Sequence, residues 1–309
     1  MPNQDLPTQH WPKGLWIVAT PIGNLEDFTD RARTALKLAD EIVCEDTRRT
    51  SQLLNAIGLS GQSKLTRLDA HASQGQLEKV IASLVGGSNI ALVTDAGTPS
   101  VSDPGSALVA LAHRHGITVT PIPGASAVPT FLSVSGFSGV AFCFRGFFPR
   151  KAGDQARELE MIATSARTDL CGVCVGFESP NRILESLKSF VSPAVAAGSR
   201  LCVAKELTKV HEQIWTGSPS EVLEQVRPHL EKEGERGEWV FGIELEIPAD
   251  SKGKSTDSSE WVKALHCLVD AGVSSSEAAK KVSQYFGVAK NEVYEVALQL
   301  TGKKSSKKE

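Results

Sequence analysis

The sequence predicts an α/β protein with two α/β domains, the first with a parallel-rich sheet and the second with a mixed sheet, followed by a small helical domain. The first observation is that short strand-like runs alternate with helix-spaced runs through residue 135. The second is that residues 200–204 and 211–216 are strand-like with no helical pattern between them, which predicts a mixed sheet. The third is the length of 309 residues, which favours two domains.

Changes in composition and periodicity divide the chain into six segments. We expect a disordered N-terminal segment over 1–13, an N-terminal α/β domain over 14–124, a second α/β domain over 125–249, a linker over 250–259, a helical domain over 260–302 and a basic tail over 303–309. The linker is rich in Ser, Lys, Asp and Gly, a composition typical of flexible connections.

Composition limits the classes of function. The formal net charge of −3 is no signature of a nucleic-acid-binding protein, so RNA contact would need a local basic surface. Six cysteines lie mostly in apolar runs, which favours reduced thiols. Cys171 and Cys174 form a Cys-x-x-Cys pattern whose side chains would point to opposite faces of a strand, which suits neither a metal pair nor a redox turn. With no signal peptide and no membrane-spanning run, we expect a cytoplasmic protein without a metal.

Strand ends in the first domain carry its polar motifs. Residues 15–19 form a buried-type strand that ends in TPIGNL (20–25), and Asp27 or Thr29 can cap the helix that follows. Residues 41–44 form a second strand, which ends in EDTR (45–48). These charged residues have two interpretations. They either form the first turn of a helix, where acidic residues are favoured, or face a ligand cleft that the later strand ends also line.

The segment VTDAGTPSVSDPG (93–105) follows the buried-type strand 89–93 and precedes a helical pattern. Two glycines and two prolines fix its backbone path, and Asp95 and Thr98 are among its closely spaced polar residues. In open α/β sheets, ligands bind outside the carboxyl ends of strands, so this loop is a candidate binding loop. The alternative is an ordinary connection in which Asp103 caps a helix that begins with Pro104.

The remaining units of the first domain are shorter. Residues 64–69 are a weaker strand candidate, followed by His71 in a loop and by a helical pattern over 76–85. Residues 117–121 form another strand, and the PGASA segment (123–127) then turns the chain into a helix whose small residues let backbone N–H groups approach a ligand.

The second domain opens with an aromatic run over 142–148, which is either an apolar surface or core, and a helix through Arg157. Strands are expected over 170–177, 200–204, 211–216 and 237–247, with helices over 183–190 and 220–230. Three helical patterns follow the linker, over 260–271, 274–286 and 291–300. With the basic tail, these helices either contact RNA or form a structural appendage.

Motifs along most of the chain, in order and spacing, resemble the tetrapyrrole methylase superfamily, and more narrowly its branch that 2′-O-methylates a cytidine in 16S rRNA. They are TPIGNL (20–25), EDTR (45–48), TDAGTP (94–99), DPG (103–105), PGASA (123–127), GFFPRK (146–151), FESPNR (177–182), KELTK (205–209), GE (237–238) and GVAKN (287–291). Two positions differ from the family pattern: the segment 68–73, and Asn181, where a histidine is common.

The resemblance implies S-adenosylmethionine held in a cleft between the two α/β domains, largely by backbone groups. A loop rich in Gly and Pro suits such a zwitterionic, partly apolar molecule. By matched position, the residues expected around the cofactor are Asp95, Gly97, Thr98, Pro99, Ser126, Ala127 and Phe177.

Methyl transfer to a ribose requires alignment of the 2′-oxygen and removal of its proton. The catalytic candidates are Glu45, Asp46, Lys205 and Glu206, and the candidate RNA clamps are Arg48, Arg150 and Arg182. Each of these residues could equally form an ion pair between domains. The resemblance also implies a homodimer and the small ribosomal subunit as partner. Two other functions remain open: methylation of a small tetrapyrrole precursor, and RNA or ribosome binding without catalysis.

Overall fold

The computed structural model describes residues 11–61, 63–69, 72–101, 105–138, 141–167, 171–192, 198–234, 236–245 and 258–305. The chain divides into two compact units, Met1–Thr130 and Phe131–Glu309. Some predicted features lie outside the described residues: the first ten residues, His71, the Asp103–Pro104 cap, most of the linker and the last four residues of the tail.

The sheet of the first unit is wholly parallel among the described strands. These are β1 (Leu15–Val18), β2 (Glu41–Cys44), β3 (Lys64–Arg67), β4 (Ile90–Leu92) and β5 (Val119–Ile122). Their order is β3-β2-β4-β1-β5, and each adjacent pair is parallel. The predicted parallel-rich sheet is confirmed, and all five carboxyl ends lie at one edge.

Helices cover both faces of this sheet, as buried parallel strands require. They are α1 (Asp30–Leu38), α2 (Thr47–Ala56), α3 (Gln74–Val85) and α4 (Gly105–Arg114). Helix α5 (Ala127–Ser135) follows β5 and includes the boundary between the two units of the chain. The apolar residues of α1 and α2 join one core, whereas those of α3 and α4 join another that contains the alternate residues of the strands. Strand β4 lies between β1 and β2. The helices that follow these two neighbours, α1 and α2, pack on one face of the sheet, whereas α4, which follows β4, packs on the other. This reversal is the place where open α/β sheets form a ligand crevice.

Two helix caps in this unit show which residue caps α1 and that the EDTR segment begins a helix. The hydroxyl of Thr29, and not Asp27, caps α1 by accepting from the Ala32 amide at 3.1 Å. Asp46 caps α2 by accepting from the Arg48 amide at 2.8 Å. Capping by a short polar side chain satisfies amides that the first helical turn leaves unpaired.

The second unit contains a mixed sheet, as predicted. Its strands are β6 (Phe142–Phe147), β7 (Val173–Glu178), β8 (Ser199–Lys205), β9 (Gln213–Gly217) and β10 (Trp239–Leu245). The order is β6-β7-β10-β8-β9, in which β6 and β7 are parallel and the other adjacent pairs are antiparallel.

The helices of this unit are α6 (Ala152–Arg167), α7 (Ile183–Phe190), α8 (Pro219–Glu233), α9 (Ser258–Asp270), α10 (Ser275–Phe286) and α11 (Lys290–Ser305). Helix α6 continues ten residues past the predicted Arg157 because Leu159 and Ile162 provide a buried face. Helices α9 to α11 surround a core of their own, and α9 also contacts α6. Helix α11 extends to Ser305, into the segment predicted as a tail.

The aromatic run contributes to both surface and core. Phe142 and Phe147 are 47% and 61% exposed, whereas Phe148 is 4% exposed and packs edge-to-face on Phe190 and Phe241. The aromatic run therefore forms apolar surface at Phe142 and Phe147 and core at Phe148.

The geometric expectation for Cys171 and Cys174 is wrong. Strand β7 begins at Val173, so Cys171 lies outside the strand and the alternation of side chains does not apply to it. Cys174 pairs with Cys143 of β6 in the parallel ladder, whereas the Cys171 thiol donates to the Val173 carbonyl at 2.8 Å.

Among the residues that the structure describes, none of the helices combines the length and the apolar character that crossing a membrane would take.

Candidate functional site

The carboxyl ends of β2 and β4 are joined by side chains that the sequence selected. Glu45 Oε2 accepts from Thr94 Oγ1 at 3.1 Å, and Asp95 Oδ1 accepts from the Asp46 amide at 3.3 Å. Arg49 lies 3.4 Å from the second oxygen of Asp95. Three acidic residues thus lie close together at the reversal beside β4, with Arg48 paired to Asp46 and Arg49 beside Asp95.

The loops after β1 and β5 join the same edge. The Thr20 amide donates to Gly97 O at 2.9 Å, and the Gly97 amide donates back to Thr20 O at 3.1 Å. Thr98 Oγ1 donates to Ala125 O at 3.1 Å. Four of the five strand ends are therefore linked through residues 94–98, and the predicted binding loop is the centre of this network.

Gly97 occupies a position where a side chain would be strained and tightly packed. Its φ is +83°, in the left-handed region that L residues rarely adopt, and an added Cβ would lie 3.3 Å from Ile22 Cγ2. Ser100, three residues later, has a φ of 74°. A non-glycine residue in this region stores strain, a property that concentrates at functional sites.

Asp46 is fixed by its neighbour. Hydrogen bonds from the Arg48 side chain, and then from the Arg48 amide, lower the pKa of Asp46 to about 2. Arg48 Nη2 lies 2.9 Å from Asp46 Oδ2. Asp46 is therefore a weak base that serves as helix cap, and the catalytic role of Glu45 stays a prediction.

The seven residues expected around a cofactor are divided between the two units. Asp95, Gly97, Thr98 and Pro99 belong to the loop after β4, and Ser126 and Ala127 are half-buried beside the Ala125 carbonyl that Thr98 contacts. Phe177 belongs to β7 in the second unit, where it packs edge-to-face on Phe144 and Phe147. The six residues of the first unit lie at one edge.

Lys205 of the second unit lies at the end of β8 and is 4% exposed. Its Nζ is 2.9 Å from His229 Nε2 of α8 and 5.7 Å from the Trp239 ring centre. Its amino group thus faces a helix and an aromatic ring of its own unit. Its catalytic role stays a prediction.

Glu206 follows β8 with a φ of 54°. Burial favours its protonated form, but hydrogen bonds from Lys209 and from the Glu238 amide prevail and lower the pKa of Glu206. These bonds measure 2.8 Å each. Glu206 thus closes a turn, and its participation in catalysis also stays a prediction.

The three candidate RNA clamps differ in how much of each side chain is available. The Arg182 guanidinium pairs with Glu178 and donates to Ser179 Oγ at 2.7 Å and to Phe148 O at 3.2 Å, so it stabilises a turn. Arg48 is 86% exposed despite its pairing with Asp46. Arg150 is exposed, between β6 and α6.

Comparison with known proteins identifies the group of enzymes to which these features belong. The sequence profile of the tetrapyrrole (corrin/porphyrin) methylases matches residues 14–223. A protein of Escherichia coli named ribosomal RNA small subunit methyltransferase I is 37% identical, over 93% of this chain and 96% of its own. Its namesake in Haemophilus influenzae is 38% identical, over 92% and 96%. The chain belongs to the ribosomal RNA small subunit methyltransferase I family of tetrapyrrole methylases.

Solved methylase structures support the fold. The methyltransferase CobJ aligns with 77% of this chain and 98% of its own, with a TM-score of 0.53 and 16% identity. The uroporphyrin-III C-methyltransferase of Thermus thermophilus, complexed with S-adenosylhomocysteine, aligns with 75% of this chain and 97% of its own, with a TM-score of 0.50 and 15% identity. At such identities the likeness concerns the tetrapyrrole methylase fold alone.

Sequence reasoning did not select several polar residues that the structure places at the strand ends of each unit. Thr20 and Thr94 are buried threonines that join the strand ends, and Arg49 is the cation nearest to Asp95. Glu178, in the FESPNR motif, is buried beneath Arg182. A polar residue directly after an apolar strand was the available signal for Thr94 and Glu178.

Proposed function

We propose that this chain is an S-adenosylmethionine-dependent methyltransferase that methylates the ribose 2′-oxygen of a cytidine in 16S rRNA of the small ribosomal subunit. Family membership over nearly the whole chain supports the reaction class. The observation that carries the proposal is the contact between Glu45 and Asp46, after β2, and Thr94 and Asp95, after β4, at the place where the sheet reverses.

The loop after β4 fits the proposed cofactor. Gly97 and Pro99 are buried, so the loop offers a fixed, partly apolar surface, and Asp95 adds a carboxylate whose side chain is 25% exposed. A carboxylate suits the ribose hydroxyls or the ammonium group of a nucleoside amino acid. We assign Asp95, Gly97, Thr98, Pro99, Ser126 and Ala127 to this surface.

Glu45 is the proton acceptor that we propose. S-adenosylmethionine, when bound, supplies an electrophilic methyl group. The 2′-oxygen forms the new carbon–oxygen bond while the carbon–sulfur bond breaks, and the hydroxyl proton passes to a carboxylate. The hydrogen bond from Thr94 orients Glu45 for this step, whereas the low pKa of Asp46 makes that residue a poor acceptor.

Exposed arginines supply the proposed contact with RNA. Arg48 and Arg49 begin α2 beside the carboxylates, and their side chains are 86% and 64% exposed. Guanidinium groups position phosphates without reading sequence, so substrate choice rests on other contacts. A homodimer and a cytoplasmic location, where the small subunit is found, complete the proposal.

The test uses the purified full chain, radiolabelled S-adenosylmethionine and small subunits from cells that lack this modification. We expect label in 16S rRNA, at the 2′-position of one cytidine, and none with subunits that already carry the methyl group. Glu45→Gln should abolish most of the incorporation, and the exposed change Glu78→Gln should leave it unchanged.

Other outcomes would identify the alternatives. Label in a porphyrinogen and none in rRNA would show a methylase of small tetrapyrroles. Binding of the subunit without transfer, by a chain that also binds S-adenosylhomocysteine, would show a non-catalytic ribosome-binding protein. Either result contradicts the proposed activity.

A further inference from the structure

Three phenylalanines of the second sheet form an aromatic cluster. The Phe177 ring of β7 packs edge-to-face on two rings of β6, and its centre lies 4.9 Å from that of Phe144 and 5.7 Å from that of Phe147. Phe147 is nevertheless 61% exposed. Its ring is thus held by an aromatic neighbour while more than half of the residue remains open to solvent.

A β-bulge places the three rings on one face of the sheet. Phe144 and Phe147 pair in the ladder with Val175 and Phe177, so three steps along β6 match two steps along β7. Side chains alternate between the faces of a regular strand, and a spacing of three would send Phe144 and Phe147 to opposite faces. The extra residue of β6 reverses the alternation, and Gly146 provides the left-handed backbone with a φ of +69°.

The bulge also decides which phenylalanine is exposed. Cys143 packs against the core of the unit, and regular alternation would direct Phe147 to that same side. With the bulge, Phe148 takes the core position instead and is 4% exposed. Bulges re-aim side chains and are over-represented next to active sites, so the exposed ring of Phe147 is a candidate binding surface.

The segment around the bulge is positively charged. Residues 145–158 contain four cationic side chains and two carboxylates, in a chain whose formal net charge is −3. Both carboxylates are paired within the segment. Glu158 accepts two hydrogen bonds from Arg145, at 2.6 and 3.0 Å, and Asp154 lies 3.4 Å from Arg157. Two cations of the segment are therefore left outside these pairs.

Those two cations, Arg150 and Lys151, are exposed in the connection between β6 and α6. They follow Phe147 by three and four residues, so their Cα atoms lie within about 15 Å of it. A ring beside cations fits a single-stranded nucleic acid, because bases stack on aromatic side chains while cations hold the phosphates. An interface with a second copy of the chain would favour a patch depleted of charge.

We propose that Phe147 stacks on an unpaired base of the RNA substrate and that Arg150 holds an adjoining phosphate. This contact rests on the function proposed above, since it concerns the RNA of that reaction. Phe177 fixes the orientation of the Phe147 ring through their edge-to-face contact. Every base has a π face, so the contact positions the RNA without reading its sequence.

The test measures the binding of two fluorescent probes to the full chain by anisotropy. One is an oligocytidylate RNA of about ten nucleotides, and the other is an abasic ribose-phosphate chain of the same length. Phe147→Leu should bind the oligocytidylate about fivefold or more weakly than the wild type and the abasic chain equally well, because leucine is apolar but has no ring. Phe147→Tyr, which keeps a ring, should bind both probes as the wild type does.

The matched control is Phe142→Leu, the same exchange at a 47% exposed position at the start of β6, which should leave both affinities unchanged. Arg150→Gln should weaken binding of both probes and reduce the slope of log affinity against log salt by about 0.7, the value for one phosphate of a single strand. Phe147→Leu should leave that slope and the thermal unfolding transition unchanged.

The proposal is overturned if the wild type binds oligocytidylate no more tightly than the abasic chain, if Phe147→Leu weakens both probes equally, or if Phe142→Leu has the same effect. Altered sedimentation of Phe147→Leu with unaltered RNA binding would instead assign the ring to contact with a second copy. Weaker binding of S-adenosylhomocysteine with unaltered RNA binding would assign it to the cofactor. Both results contradict the base contact.

These measurements do not depend on methyl transfer, so the two proposals fail separately. If the wild type binds oligocytidylate through Phe147 but transfers no methyl group to 16S rRNA, the base contact stands and the proposed activity is wrong. If the wild type methylates 16S rRNA and Phe147→Leu binds oligocytidylate normally, the activity stands and the base contact is wrong.

Discussion

Charged residues at the strand ends are more exposed to solvent in the first unit than in the second. In the first unit, Asp46 after β2 and Asp95 after β4 keep 30% and 25% of their side-chain surface exposed. In the second, the Glu178 side chain is fully buried at the end of β7 and Lys205 is 4% exposed at the end of β8. Both of these residues pair in the ladders with Trp239 at the start of β10.

Sheet topology explains this difference. In a wholly parallel sheet every carboxyl end is followed by a loop, so several loops meet and leave a crevice between them. In the second unit an antiparallel strand lies between β7 and β8, and its first residue occupies the space where a crevice would form. Charges at the first edge are therefore partly exposed to solvent, whereas Glu178 and Lys205 at the second are buried among groups of their own unit.

The largest effect is expected from the second unit. Glu178→Ala should lower the free energy of unfolding by about 3–5 kcal/mol, because Arg182 loses its buried partner. The measurement is urea unfolding followed by circular dichroism.

The control for that variant is Glu185→Ala, which removes a 72% exposed partner of Lys188 from the helix beginning five residues later and should cost less than about 0.5 kcal/mol. Equal losses for the two variants would show that the buried pair contributes no more than a surface pair.

The next effect concerns activity in the first unit. Glu45→Gln should lower the rate of methyl transfer about 100-fold or more, since an amide cannot accept the hydroxyl proton. Its unfolding free energy should change by less than about 1 kcal/mol, because the amide oxygen still accepts from Thr94. Single-turnover kinetics and urea unfolding measure the two quantities. If the variant is stable and transfers the methyl group at the wild-type rate, Glu45 is not the proton acceptor. If the variant loses much stability, Glu45 stabilises the fold as Glu178 does, and the strand ends of the two units do not differ in this respect.

A smaller effect is expected from the binding loop. Gly97→Ala should cost about 1–2 kcal/mol of stability through backbone strain and should also weaken binding of S-adenosylhomocysteine in calorimetry. Gly58→Ala is the matched control, because Gly58 has a φ of +75° but no atom within 4 Å of an added Cβ. It should carry a comparable strain and leave binding unchanged. Unaltered affinity in Gly97→Ala would exclude this loop from the cofactor surface.

The smallest effect is a pH dependence. The pKa of Asp46 falls from 3.8 to about 2 in the folded chain, so its contribution to stability is complete above 3.8 and disappears as the pH falls towards 2. Carboxyl-carbon NMR should give a midpoint near 2 in the wild type, and Arg48→Ala should move it towards 3.8 because the hydrogen bonds from the Arg48 side chain are lost. A midpoint that Arg48→Ala does not change would assign the shift to another group.

Local pattern predicted most of the elements because helices and strands depend on nearby residues. The alternation of strand and helix identified the parallel sheet, and residues 200–204 and 211–216 indicated the antiparallel pair that became β8 and β9. Polar residues that follow apolar strands also selected Glu45, Asp46 and Asp95, since all carboxyl ends of a parallel sheet share an edge.

Interactions between distant residues could not be predicted in this way. The pairing of Cys143 with Cys174 depends on the register of β6 and β7, and the position of Cys171 depends on the residue where β7 begins. The burial of Lys205 against His229 depends on the packing of α8. Spacing in the sequence does not encode the partner that a charged side chain finds in the folded protein.

The reciprocal hydrogen bonds between Thr20 and Gly97 have a consequence for the kinetics of ligand association. Two loops that are already joined at 2.9 and 3.1 Å have little conformational freedom left to lose when a ligand arrives. Association should then proceed in one concentration-dependent phase, without a slow rearrangement that limits the observed rate at high ligand concentration. The part of the site formed by these loops would act as a preformed receptor surface.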